Sequence, residues 1–412
     1  MKILQINKFF FIKGGAEKCL FNLSDLLAKK GHYISVWSTK HKNNFPYHPN
    51  ENNFAQFIDF SKKENIFKEF KKFKRLFWNK EANQKLEKVI KSFKPEVIHL
   101  HNIFSHFSPS IISLIKKYNI PIVMTLHDYK LFCPNYKFLN KNKICFDCLD
   151  NNNYRSCFLK KCIKNSYLKS FAGYLEGKWH KDFLKTAHKI DAFIAPSLYI
   201  KRKAIKWGIN REKIFHLPNF IEENKNIIPK REEKNYILYY GRLSSEKGIN
   251  LLIKSFLEIS KEFPHWKLKL IGDGPEKNRL IKTANNSEII EFPGYKKGIE
   301  LKKIIAGADL IVLPSLWPEN NPYSILESMI LSRPIIASRI GGIPELIKDK
   351  KTGILFKPGS KVDLKNKLIY SINHLKEMKE MSQSAQKEVI KKYNSENYYR
   401  KIIKIYEGIK NN

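Results

Sequence analysis

The chain alternates, almost from end to end, between short apolar runs and amphipathic helical patterns, and few folds accept that order. "KILQI" at residues 2–6 leads through a loop into "AEKCLFNLSDLLAKK", apolar at positions 16, 20, 23, 26 and 27 and stopped at Gly31. "YISVWS", "EVIHLH", "IPIVMTLH", "AFIAPS" and "KIFHLP" then read as buried strands with helices between them. After "IEENKNIIPKREEKN", which is polar and shaped like a linker, the series restarts with "YILYYGR", "WKLKLIG", "EIIEFPG", "LIVLPS", "PIIAS" and "GILF". Strand–helix alternation of this kind means parallel sheets covered on both faces. Two such series predict an α/β chain of two doubly wound domains, joined near residues 222–235. Their ligand cleft is expected where the C-terminal ends of the strands face each other. A length of 412 residues suits two cores.

The formal charge is +37 and uneven: residues 1–230 hold 43 Lys/Arg against 18 Asp/Glu, the remainder 33 against 21. Part of this is a Lys, Asn and Ile bias without function. What is left points to anionic partners such as phospholipid, nucleic acid or phosphorylated substrates. No apolar run reaches the roughly 18 residues a bilayer span needs. The start, "MKILQINKFFFIKGG", is broken by Lys8 and Lys13 and lacks a small-residue cleavage site, so it reads as a buried strand. Six cysteines without a secretion signal imply a reducing compartment, and the expected location is the cytoplasm.

Chemistry gathers in the second series. Arg242 and Lys247, in "GRLSSEKG", lie just past a strand's C-terminal edge, where open α/β sheets bind ligands. Two cations among small residues suit a diphosphate; plain surface charge is the alternative. "IGDGPEKNRL" and "EFPGY" are turns that need their glycines anyway. In "WPENNPYSILES", Glu319 and Glu327 stand eight positions apart. Asn321 reads as an N-cap and Pro322 as the first helical residue, so Glu327 leans back beside Tyr323 and Ser324. A helix start is an anion site, an odd place for two carboxylates unless they bind hydroxyls of one ligand. In the first series, His127 ends a strand in "TLHDY", and Gly14 and Gly15 of "GGAEK" open a helix. Each has a bland reading, as a structural histidine and a capping turn. "GGAEK" is not a dinucleotide fingerprint. Asn102 and His106, in the loop after "EVIHLH", are weaker acceptor-site candidates.

Taken in order, "GGAEK", "TLHDY", "HLPNF", "YYGRLSSEKG", "IGDGP", "FPGY", "ADLIVLPSLWPENNPYSILESM" and "PIIASRIGGIPELI" resemble the signature of glycosyltransferase family 4. These are retaining, nucleotide-sugar-dependent enzymes of the GT-B fold. The resemblance runs from residue 1 to about 405 and is most specific over 236–356. It implies that Glu327 accepts hydrogen bonds from the ribose hydroxyls and Glu319 from those of the donor sugar. It implies that Arg242 and Lys247 stabilise the leaving diphosphate without a catalytic metal or other cofactor. The amides of Tyr323 and Ser324, with Gly15, Asn321, Gly294 and Tyr295, would complete the donor site. His127 would face the donor sugar, and Gly14 the acceptor. Relatives often carry a Phe-Gly pair after the first glutamate, where this chain has Asn320, Asn321 and Pro322. The domains expected are 1–222 on the acceptor side, 235–390 for the nucleotide sugar, and a helix, 391–412, packing back toward the first domain. Such an enzyme moves a sugar from a nucleoside diphosphate sugar to a glycan or polyprenyl-linked acceptor, in cell-surface polysaccharide assembly at the inner membrane face. No enzymic nucleophile is needed if the acceptor attacks on the face that the leaving group vacates.

Two features lie outside that signature. Cys145, Cys148, Cys157 and Cys162 fall within an insertion at about 133–162; their spacing loosely resembles a structural zinc knuckle, against unpaired thiols. Cys133 is a potential fifth member, while Cys19 reads as core. In "NIFKEFKKFKRLFWNK", 65–80, Phe67, Phe70, Phe73 and Phe77 share one helical face and Lys68, Lys71, Lys72 and Arg75 lie on the others. That is how an interfacial helix on an anionic membrane is built, and packing on its own domain is the alternative. Two rival functions are weighed. A nucleic-acid-binding protein fits the charge but has no recognition motif. A glycoside hydrolase needs an acid and a base flanking one sugar bond, whereas the two glutamates address different halves of one ligand.

Overall fold

The computed structural model describes every residue except 61–64, 142, 223–234, 286 and 412, so most of the expected linker lies outside the described residues. The chain divides into two units. The first comprises Met1–Asn140, Cys145–Leu217 and Tyr399–Asn412; the second comprises Lys141–Ile144 and Pro218–Tyr398.

The first unit is built on six strands: β1 (Lys2–Ile6), β2 (Tyr33–Trp37), β3 (Val97–Leu100), β4 (Ile122–Thr125), β5 (Ala192–Ala195) and β6 (Ile214–His216). They lie in the order β2-β1-β3-β4-β5-β6, every pair parallel. The second unit repeats the plan with β7 (Tyr236–Tyr240), β8 (Lys267–Ile271), β9 (Ile290–Gly294), β10 (Leu310–Leu313), β11 (Ile335–Ser338) and β12 (Ile354–Phe356). Its order is β9-β8-β7-β10-β11-β12, again all parallel. Each strand was legible as an apolar run because helices cover both faces: β3, β4, β5, β7 and β10 are buried at every residue. Together these are the two Rossmann-like domains of a GT-B fold.

Both sheets reverse their winding once. In the first unit the chain leaves β1 toward β2 and later returns on the other side with β3; in the second, β7 divides β8 from β10. At such a point the two loops leaving the strands diverge and open a crevice beyond the strand ends. Both reversal points carry residues singled out by sequence.

Helix boundaries differ from expectation at one informative place. The helix after β10 is Tyr323–Ile330, one residue later than its sequence suggests, with Pro322 as the residue before it and no side-chain cap. Asn321 does not cap it. Its Oδ1 accepts from the Asn219 amide at 3.0 Å, and its carbonyl accepts from Asn219 Nδ2 at 2.8 Å. The cap preference is a local one, and a longer-range partner outbids it here.

Candidate active site

The loops at the second unit's reversal point are locked together. Leu316 N donates to the Glu246 carbonyl at 2.9 Å, and Gly248 has φ +70°, where an added Cβ would run into the Pro314 carbonyl. Only glycine fits that close approach. The lock brings Lys247, from the loop after β7, onto Glu319, from the loop after β10. Lys247 Nζ donates to Glu319 Oε1 at 2.6 Å, and Ser315 Oγ donates to the same oxygen at 2.7 Å. Glu319 is 5% exposed, and both bonds fall on Oε1. A third loop, after β11, closes on the same residue: Gly342 N donates to the Glu319 carbonyl at 2.7 Å. Lys247 also lies 5.3 Å from the Trp317 ring centre.

Ser315 and the Lys247–Glu319 pair were not foreseen. The sequence places two cations on a phosphate and a carboxylate on a sugar, but it does not place one on the other. An ammonium has three N–H donors, so the pair leaves Lys247 with two. Arg242 is exposed, and its carbonyl accepts from the Tyr239 hydroxyl at 2.9 Å.

Beyond this cluster the helix Tyr323–Ile330 begins. Tyr240, at the end of β7, supports it: its hydroxyl donates to the Ser324 carbonyl at 2.6 Å and lies 3.1 Å from Ser328 Oγ. Glu327 is half-buried one turn further in. Burial, and then the Glu327 carboxylate, hold the Tyr240 hydroxyl proton on well above the usual phenol range. Tyr240 was missed because a tyrosine inside an apolar run reads as core. Gly294, at the end of β9, has φ +81°, and Tyr295 after it is 62% exposed.

In the first unit, half-buried His127 ends a polar chain whose middle members, Gln5 and His101, are buried. Ser24 Oγ donates to the Leu20 carbonyl at 2.9 Å, so Ser24 must accept from Gln5 Nε2 at 2.8 Å. Gln5 Oε1 is then the acceptor facing His101 Nε2 at 2.9 Å, which must carry the proton. A neutral His101 has only a lone pair left on Nδ1, so His127 Nε2–H donates to it at 2.8 Å. His127 is thereby fixed with its proton on Nε2 and a lone pair on Nδ1. Burial, and then Lys8, push His127 down to about 3, and burial pushes His101 well below the imidazole range, so this arrangement stays neutral. The rings of His101 and His127 stack at 5.1 Å, and those of His99 and His101 at 4.5 Å. Sequence reading passed over His101, although the signal was there. In "HLH" His99, in β3, and His101, just past its end, stand two residues apart in extended chain and so share a face.

The other first-unit candidates separate. Asn102 sits at the reversal point: its amide donates to Asn7 Oδ1 at 3.1 Å and its carbonyl accepts from Lys8 N at 3.0 Å. Gly14 precedes the helix Gly15–Lys29, and a Cβ there would make only an ordinary contact with Glu17, so no packing demand excludes a side chain. His106 is walled by Phe57, Phe9 and Phe60 at ring distances of 4.9, 5.9 and 5.8 Å, the setting of a packed residue.

In the insertion, Cys148 and Cys157 are buried, Cys145 and Cys162 half-buried, and all are free thiols. Cys157 and Cys162 share a hydrogen bond. Among the described residues no group of three or more His, Cys, Asp or Glu is set to hold a metal ion. Cys133 is also buried. The helix Ile66–Phe77 is capped by Asn65 and has no buried residue. Its phenylalanines divide. Phe67 and Phe70 are 82% and 57% exposed, whereas Phe77 meets Phe73 at 5.0 Å and Trp179 at 6.0 Å. Among the described residues no helix is long and apolar enough to cross a membrane.

Comparison with known proteins covers nearly all of this chain. Residues 13–225 match the family model described as Glycosyltransferase Family 4, and residues 220–388 match Glycosyl transferases group 1. The uncharacterized glycosyltransferase MJ1178 of Methanocaldococcus jannaschii is 26% identical over 82% of this chain and 83% of its own length. The alpha-monoglucosyldiacylglycerol synthase of Acholeplasma laidlawii is 26% identical over 70% of this chain and 69% of its own. Sulfoquinovosyl transferase SQD2 of Arabidopsis thaliana is 27% identical over 74% of this chain, which spans only 55% of that protein. Among solved structures, a Rickettsia africae glycosyltransferase has a TM-score of 0.68 at 18% identity, covering 99% of this chain and 98% of its own. Anabaena Alr3699/HepE in complex with UDP and glucose has a TM-score of 0.67 at 17% identity, covering 99% and 100%. These two likenesses speak to the fold.

Proposed function

The chain belongs to glycosyltransferase family 4, and on that premise we propose that it is a retaining enzyme taking its sugar from a nucleoside diphosphate sugar. One observation carries the reading most directly. At the second unit's reversal point Lys247 and Ser315 are bonded to the buried Glu319, and a helix start with a second glutamate follows directly after that loop. Lys247 and Arg242 offset the diphosphate charge and stabilise it as it leaves. The Tyr323 and Ser324 amides add the positive end of a helix. A carboxylate in such a place is useful only toward neutral hydroxyls, so Glu327 takes the ribose and Glu319, through Oε2, the sugar. Asn321, Gly294, Tyr295 and Gly15 complete the donor set. The lone pair on His127 Nδ1 is the first unit's acceptor for a substrate hydroxyl, with Gly14 and Asn102 at the acceptor. No catalytic metal is needed when cations already face the leaving group.

The acceptor is a glycan or polyprenyl-linked sugar of cell-surface polysaccharide, such as capsule or lipopolysaccharide, met at the inner face of the membrane. The basic first unit and the exposed Phe67 and Phe70 beside Lys68, Lys71 and Lys74 support that placement. The charge fits a nucleic-acid partner but no recognition motif accompanies it, and the family argues against both that reading and a hydrolase. The cysteine insertion is proposed as a structural zinc site on Cys145, Cys148, Cys157 and Cys162, supported by spacing and by the Cys157–Cys162 contact. The thiols would have to draw together to hold the ion.

Titrating UDP, GDP and ADP into the pure protein, then offering the sugars of whichever binds, tests the reading. One nucleoside diphosphate should bind well above the others, and one of its sugars should be turned over with retention. Failure of all three to bind would overturn it.

A further inference from the structure

The helix Tyr167–Lys178 is laid down with its apolar side outward. Ser166 caps it, accepting from Lys169 N, and its buried positions are Ser170, Gly173 and Glu176. Spaced by three residues, these form its inner side. All three are small or polar, and the polar ones are matched there. Ser170 Oγ accepts from Ile163 N at 2.9 Å, and Glu176 Oε2 accepts from Lys130 Nζ at 2.7 Å. At half-buried Gly177, on the same side, an added Cβ would run into the Tyr154 ring, so close packing demands a small residue.

The outer side carries Tyr167, Leu168 and Phe171, which one helical turn brings together. Leu168 is 78% exposed and Tyr167 55%. A helix on a globular domain ordinarily turns such residues toward the core. Phe158 packs beside Tyr167 and Phe171, at 5.9 and 5.3 Å between ring centres, yet leaves both exposed. Exposed Leu159 lies in the insertion ahead of the helix, and exposed Phe183 follows it. Phe183 stacks on Trp179 at 5.0 Å, and Trp179 meets Phe77 at 6.0 Å. The C-terminal end of this helix thus adjoins the helix Ile66–Phe77, which has exposed phenylalanines of its own.

Charge says what covers the face. From Leu159 to Lys185 the chain holds seven lysines and two acids, Glu176 and Asp182. Glu176 is buried against Lys130, and Lys160 pairs with Asp147. Lys164, Lys169 and Lys178 are exposed, and Lys161 Nζ lies 4.0 Å from the Tyr167 ring centre. A second copy of the chain would bring one lysine-rich face against another. A nucleic acid would stack on rings, whereas the most exposed residue of the face is a leucine. Apolar side chains among long cations match a bilayer with anionic headgroups: the former enter the acyl boundary and the lysines reach the phosphates. We propose that the face of Tyr167, Leu168 and Phe171 docks on an anionic lipid bilayer. The inference rests on the membrane placement given above, and it stands on residues separate from Phe67 and Phe70.

Co-sedimentation of the full chain with vesicles tests it, using phosphatidylcholine alone and phosphatidylcholine mixed with phosphatidylglycerol. The wild type should bind the mixed vesicles roughly tenfold more tightly than the neutral ones, or better. Leu168→Ser, at an exposed position, should keep the melting temperature and weaken that binding about tenfold, while Leu168→Phe should retain it. Lys164→Glu with Lys169→Glu should weaken binding to the mixed vesicles and leave neutral ones unaffected. Undiminished binding by Leu168→Ser, or equal binding of the wild type to both vesicles, would overturn the proposal. So would a dimer that Leu168→Ser dissolves, because a second copy would then cover the face. A loss confined to the Phe67 and Phe70 variant would keep the membrane placement and overturn this face; no binding by the wild type would remove both. All these variants leave the donor loops untouched, so their UDP affinity reports on the donor reading alone.

Discussion

Glu319 has two donors on one oxygen, Lys247 and Ser315, and that sets how it should respond to change. Glu319→Gln keeps an acceptor for both; Glu319→Ala removes it and leaves a lysine and a hydroxyl facing an empty space. The alanine variant should lose ~1.5–3 kcal/mol of stability, as for a hydrogen bond to a charged group, and the glutamine variant clearly less. Denaturant melts of the two variants check this. A second prediction concerns the buried histidines. Burial holds His99, His106 and His127 down at about 3, against 6.5 for a free imidazole. Their folded values lie below the unfolded one. As pH falls from about 6.5 toward 3 the unfolded chain therefore takes up protons that the folded chain does not. Each group then removes about 1.4 kcal/mol of stability per pH unit within that window. Melting curves between pH 7 and 5 should show a steep loss, and substituting His106 by Phe should flatten it. A flat profile would contradict the buried neutral array.

At the scale of elements, the helix Ile66–Phe77 is the clearest test. Its four phenylalanines share a face by periodicity, but the structure turns Phe77 inward against Trp179 and leaves Phe67 and Phe70 outside. Replacing Phe67 and Phe70 together by Ser should therefore leave the melting temperature unchanged while weakening binding to anionic vesicles. Transfer to a detached acceptor analogue should survive. Unchanged vesicle binding, by co-sedimentation, would remove this helix from the membrane account. The cysteine insertion makes a separate demand. Elemental analysis after dialysis should find about one zinc per chain, and Cys148→Ser should lower stability without altering nucleotide affinity. Four thiols that titrate freely in a fully stable, metal-free protein would refute the zinc.

For the whole molecule, two sheets of matching plan were legible because burial on both faces leaves apolar runs that no surface strand would have. Leu310–Leu313 and Ala192–Ala195 could be read as strands on that ground alone. Arg242, Lys247 and Glu319 could be singled out as candidates because they lie in loops beyond parallel strands, and Glu327, on the helix Tyr323–Ile330, by its spacing from Glu319 and by the family resemblance. What stayed hidden were relations between distant residues. The Lys247–Glu319 pair spans 72 positions and the Gln5–His101 contact 96. Asn321 was misread as a cap for the same reason, since its partner Asn219 is 102 residues away. Local preference finds the elements, and tertiary contacts decide what their side chains do.

The central claim is that Glu319 and Glu327 serve different halves of one donor. Glu327 is assigned to the ribose, which does not change during reaction, and Glu319 to the sugar, which flattens and gains positive charge as its bond breaks. Calorimetry of the preferred nucleoside diphosphate against wild type, Glu327→Gln and Glu319→Gln, beside their transfer rates, tests this directly. Glu327→Gln should weaken the free nucleotide by ~1.5–3 kcal/mol. Glu319→Gln should keep that affinity, because the ligand carries no sugar, and lose turnover instead. Equal losses of nucleotide affinity in both variants, or normal turnover in both, would contradict the assignment.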